Sequence, residues 1–136
     1  MSINLQLNSS VLIQGLDNPL ASAAIGRMQI CGTNIVGIVS AGQGGQVFGN
    51  LPIFDLVEQA QATLEPIETS LIFAPAYEVL DAALEAIAAG IPQLIIVTRG
   101  VPPLDMIRLL RQARISNTLI LGSGSQPQSE FNCGNC

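Results

Sequence analysis

Along this chain, short apolar runs alternate with longer segments in which apolar side chains recur every three or four positions. The short runs fall at residues 11–13, 35–39, 51–54, 70–74, 94–98 and 118–121 and are rich in valine, isoleucine and leucine. Such runs, bounded by glycine, proline and polar residues, predict buried strands. Between them, helices are predicted over 19–31, 55–63, 77–89 and 104–113. The third is the best marked: Val79, Leu80, Ala83, Leu84 and Ile87 share one face, and Gly90 and Pro92 stop it. Asn18 stands as N-cap before Pro19, and Gly32 takes the position after the helix end. Asp55 stands as the cap of the second helix. Pro52 marks 51–54 as an edge strand, because proline gives a central ladder no N–H.

Strands alternating with helices predict a single α/β domain with a Rossmann-like, doubly wound parallel sheet. The domain is expected over 1–122, followed by a polar tail over 123–136. A length of 136 residues suits one core. Hydrophobic residues make up 49% and charged residues 11%, which suits a packed interior and not disorder. No apolar run approaches the roughly 20 residues of a membrane span. The start, Met1-Ser2-Ile3-Asn4, has no secretory character, so a cytoplasmic location is expected.

Charge narrows the chemistry. The net charge is −5, there is no histidine, and all five basic residues are arginines. Nucleic-acid binding, which rests on neutralising phosphates, is not expected. Lacking histidine and lysine, the chain has no ready partner for a nucleophile, so catalysis by this chain alone is not expected. A metal site is not expected either. Cys133-Gly134-Asn135-Cys136 supplies two thiolates of the four that a structural zinc takes, with no histidine to complete them. Cys31, among apolar neighbours, reads as a small buried hydrophobe, and Met28 and Met106 read as core fillers. Arg108, Arg111 and Arg114 form a solvated stripe near the end of the last helix.

Two glycine turns follow the first two strands, at Gly15 and at Gly42-Gln43-Gly44-Gly45. A strand, a glycine, a helix, a strand and a glycine loop are the order of a Rossmann-type ligand site. With 51–54 (LPIF), 74–76 (APA), 84–91 (LEAIAAGI) and 98–106 (TRGVPPLDM), they make the chain resemble the CoA-binding domain of the succinyl-CoA synthetase α subunit, over residues 2 to 122. That resemblance implies CoA as cofactor, held near Gln14, Gly15, Asp17, Asn18, Gln43, Pro75, Ala76, Val97, Thr98 and Arg99. It also implies partners, because the family's enzyme needs a phosphohistidine domain and a nucleotide-binding subunit.

The chain departs from that family where the phosphates would lie. Only the first glycine of the family's first turn is kept, in Gly15-Leu16-Asp17-Asn18-Pro19. Pro19 removes an amide donor, and Asp17 brings a negative charge to a helix start that would otherwise attract anions. Two unit charges in contact repel by about 1 to 4 kcal/mol, depending on exposure. Gln43 stands in place of a lysine, and Arg99 in place of a glutamate. The expected function is therefore a non-catalytic module that binds CoA, a nucleotide or another anionic small molecule. Two alternatives stand beside it: a ligand-free subunit docking to the proteins of a larger complex, and one part of a split acyl-CoA ligase; among partners, a homo-oligomer is left open as well.

Overall fold

The computed structural model describes residues 10–16, 19–64 and 66–122. Among these, seven strands form one sheet in the order β3-β4-β2-β1-β5-β6-β7. The strands are β1 (Ser10–Gln14), β2 (Asn34–Val39), β3 (Val47–Phe48), β4 (Leu51–Phe54), β5 (Thr69–Ile72), β6 (Gln93–Ile96) and β7 (Leu119–Gly122). All neighbours run parallel except β3 and β4. The helices are α1 (Pro19–Ile30), α2 (Val57–Thr63), α3 (Val79–Ala88) and α4 (Pro103–Ser116), with a single 3-10 turn, Ala76–Glu78, before α3.

Alternation along the central strands builds two cores. On β1, Leu12 faces one side of the sheet, while Val11 and Ile13 face the other. The Leu12 side packs against α2, α3 and α4 through Val57, Ala60, Val79, Ala83, Ile87, Leu109 and Ala113. The Val11 side packs against α1 through Ala21 and Ile25. Helices on both faces explain why Val11 to Ile13 in β1 and Leu94 to Ile96 in β6 read as unbroken apolar runs. Each large aliphatic side chain buried here contributes about 1.5–3 kcal/mol relative to exposure.

The expected doubly wound α/β sheet is what the structure has, and its local departures have local causes. Residues 51–54 are not an edge strand: β3 lies outside β4, joined by a short hairpin through Gly49 and Asn50. Pro52 is tolerated because β4 pairs with β2 only from Ile53 onward. The last helix continues past Ala113 to Ser116, since its final turn needs no buried side chain. It ends at Asn117, left-handed at φ 58°, whose N–H returns to the carbonyls of Ala113 and Arg114. Asp55 does not cap α2: the N-cap is Leu56 and uses no side chain. Cys31 is not a free buried thiol but half-buried and disulfide-bonded. Cys133 and Cys136 lie outside the described residues, as does Asn18 before α1.

Candidate functional site

Chain direction out of the sheet reverses between β1 and β5. The chain leaves β1 for β2 on one side, and β5 leads to β6 and β7 on the other. Open α/β sheets hold ligands outside the carboxyl ends of the strands at such a point. Here a cleft of about 750 Å³ opens there, within the roughly 300–1,000 Å³ range of small-molecule sites. Gln14 and Gly15 at the end of β1, Val39 to Ala41 at the end of β2, and Phe73 to Pro75 just after β5 line it. Asp55, Glu78, Asp81, Ala82 and Glu85 form its wall.

Gly15 is required by geometry. Its φ is 101°, and a Cβ added there would lie 2.9 Å from the backbone nitrogen of Ala74 and from the carbonyl carbon of Phe73. The turn therefore presses directly onto the end of β5, which only glycine permits. Gln14, buried at 3% exposure, acts as a strut. Its amide nitrogen donates to the Ala82 carbonyl at 3.0 Å, and its amide oxygen accepts from the Ser70 hydroxyl at 2.6 Å. One side chain thus ties β1 to both α3 and β5.

The glycine loop after β2 is closed by one residue. The Asp55 carboxylate accepts N–H bonds from Gly42 at 2.8 Å and Gly44 at 2.9 Å, both at one oxygen. A Cβ on Gly44 would collide with that carboxylate. Successive backbone N–H groups aimed at one point form a concavity that attracts anions, and here the anion is the chain's own. A second case lies beside it, where the first amide of α2, at Val57, donates to the Glu85 carboxylate at 2.7 Å. Gln43 is folded back on its own loop: its amide oxygen accepts from the Ser40 hydroxyl at 2.6 Å, and its N–H donates to the Ser40 carbonyl.

The wall is strongly acidic. Asp55, Glu78, Asp81 and Glu85 all line the cleft, and none of the arginines does. Glu78, Asp81 and Glu85 share one side of the α3 region through their three- and four-residue spacing, a signal present in the sequence and passed over there. The remaining candidates are dispersed. Pro75 lines the cleft, whereas Ala76 is half-buried in the turn beyond it. Val97 packs on the α1 side of the sheet. The Thr98 hydroxyl donates to the Ala74 carbonyl and so joins the ends of β6 and β5. Arg99 is exposed beyond β6, three strands from the glycine loop, roughly 14 Å at the usual spacing. Asp17 and Asn18 lie outside the described residues. No cluster of metal-ligating side chains occurs among the described residues, and no helix there is long and apolar enough to cross a membrane.

Residues 7–100 match the family model described as the CoA binding domain. The chain belongs to that family. It is 35% identical over 115 residues to succinate–CoA ligase (ADP-forming) subunit α 1 of Archaeoglobus fulgidus, covering 85% of this chain and 39% of that protein. Against the corresponding α subunit of Staphylococcus aureus, identity is 34% over 122 residues, covering 90% and 40%. This CoA-binding domain thus spans about two fifths of the length of those relatives. Among solved structures, the ATP citrate lyase of Methanothrix soehngenii, in complex with citrate and coenzyme A, superposes at a TM-score of 0.74. Its identity is 17%, with coverage of 87% of this chain and 21% of that one. At that identity the likeness speaks for the fold.

CoA can be tested against the residues present. The cleft's volume, its place at the strand ends and the bare backbone at Gly15 suit an elongated ligand. The glycine loop does not suit a phosphate, because its two inward N–H groups already hold Asp55.

Proposed function

We propose that this CoA-binding domain is a ligand-holding module of an acyl-CoA ligase-type assembly, with CoA or a close analogue lying across the ends of β1, β2 and β5. One observation carries the reading. At the point where the sheet reverses direction, Gly15 brings the β1 turn against β5 and leaves an open cleft floored by backbone. Membership of the CoA-binding family supplies the ligand class.

The module holds its ligand without transforming it. The hydroxyl that lines the cleft, on Ser40, donates to the amide oxygen of Gln43, which is not a base. No histidine or lysine is available to activate it. The chemistry belongs to other domains or subunits, in keeping with the short span of the α subunits that the chain covers. Calorimetric titration with CoA, acetyl-CoA and pantetheine tests the reading, with saturable heat from CoA expected. No heat from any of the three overturns it.

A second reading, that the domain serves assembly, is favoured by the outer face of α4. There Leu104, Ile107, Leu110 and Ile115 are 47–73% exposed, interleaved with exposed Arg108, Arg111 and Arg114. Such a mixed apolar and cationic stripe suits an acidic protein surface. Cross-linking at α4 to a ligase subunit encoded with this chain tests it, and a free α4 in the reconstituted assembly overturns it.

A further inference from the structure

The glycine loop and the acidic wall disagree with phosphate binding, and the disagreement has a single centre. We propose that Asp55 is the specificity-determining residue of the cleft. Its carboxylate fills the anion position of the 42–45 loop, so this end of the cleft excludes phosphate and receives a neutral or cationic stretch of the ligand. The inference rests on the cleft being the ligand site, as proposed above, and adds which part of a ligand each end accepts.

A loop of this kind draws anions through backbone N–H groups that converge on one point. In this chain those groups, at Gly42 and Gly44, converge on one oxygen of Asp55 at 2.8 and 2.9 Å. A phosphate entering the loop would have to break both charge-assisted bonds and then stand beside the displaced carboxylate. The neighbouring anion-attracting group, the first amide of α2, is likewise filled by Glu85. Glu78 and Asp81 extend the negative wall, and no lining residue is basic.

Gly44 completes the device. It carries no positive φ, so its lack of a side chain is not demanded by backbone conformation. The Asp55 carboxylate uses the space instead, lying where a Cβ would be, so a side chain at 44 would push it out of its bonds. The only described cation on the strand-end rim is Arg99, beyond β6 and on the opposite side of β1 and β5. A ligand carrying both a neutral arm and phosphates would therefore lie with its arm toward Asp55 and its phosphates toward Arg99.

The test titrates sodium pyrophosphate into 15N-labelled full chain and follows the Gly42 and Gly44 amide signals. The wild type should show no saturable shift at these two amides, whereas Asp55→Ala should show one and Asp55→Asn a weaker one. In parallel, the ratio of CoA to pantetheine affinity should rise roughly tenfold in Asp55→Ala, about one charge-assisted contact's worth. Asp55→Asn serves as the second variant should Asp55→Ala fail to fold, because it keeps the side chain's size and removes its charge. Saturable pyrophosphate shifts at Gly42 and Gly44 in the wild type overturn the inference, and so does their absence from every folded variant. Loss of CoA and pantetheine binding in all proteins would instead overturn the proposed function, and the pyrophosphate result would still decide the role of Asp55.

Discussion

The cleft rim and the outer face of α4 treat their polar groups in opposite ways. At the rim, Gln14, Asp55 and Glu85 make hydrogen bonds within the chain, and the loop amides that resemble a ligand cradle are satisfied internally. On α4, three arginines stand exposed among aliphatic side chains that the fold leaves uncovered. A glycine loop is therefore a guide to backbone geometry, and its ligand depends on which group reaches its N–H donors first. A surface lacking any motif can be the more open one.

If the rim is self-satisfied, substitutions there should cost stability, and those on α4 should not. The largest effect is expected for Gly15→Ala. Backbone atoms of β5 at 2.9 Å leave no room for the methyl, and the positive φ adds strain, for a loss of about 3 kcal/mol or more. Urea unfolding measures it, and a loss below about 1 kcal/mol would mean the turn does not press on β5.

Next comes Gln14→Leu, which keeps the volume but leaves the buried Ser70 hydroxyl without its partner and strips a second bond from the Ala82 carbonyl, which keeps its bond within α3. Burying an unsatisfied polar group of this kind costs about 1–3 kcal/mol, and a loss of that size is expected in the same unfolding experiment. A near-neutral result would show that water reaches the site.

Glu85→Gln is smaller. It retains an acceptor for the Val57 amide and loses only the charge, for about 1 kcal/mol. Hydrogen exchange should report it locally, as faster exchange at Val57 with little change in β1. Arg108→Glu with Arg111→Glu marks the other end of the scale. Both side chains are exposed, so unfolding free energy should stay within about 0.5 kcal/mol of wild type. A larger loss would mean that α4 supports the fold and is not a free surface.

Much of the architecture was legible because it follows from local periodicity. Residues 77–89 read as a helix because Val79, Leu80, Ala83, Leu84 and Ile87 recur on one face; α3 spans Val79–Ala88, with Val79, Ala83 and Ile87 buried and Leu80 and Leu84 partly buried against the core. The strand near 94–96 read as buried because it is apolar on both faces, and helices cover both. β3 escaped notice because two residues, Val47 and Phe48, carry no periodicity. Gly15 read as a turn glycine after the first strand, and the turn is there, but the contact that requires glycine lies on β5, far along the chain. Asp55 stands two residues before α2 begins and so had the appearance of a cap, until the fold placed the glycine loop within reach of its carboxylate.

Spacing of apolar residues, turn glycines and helix stops, all local quantities, were enough to set the order and kind of the main elements and the parallel sheet they build. Composition alone removed histidine and lysine chemistry. The partners of the polar side chains came from another level. Asp55 meets amides 11 and 13 residues away, Glu85 meets one 28 away, and Gln14 meets a carbonyl 68 away. Those pairings exist only once the strands have taken their order in the sheet, because nothing short of folding brings such distant groups within hydrogen-bonding reach.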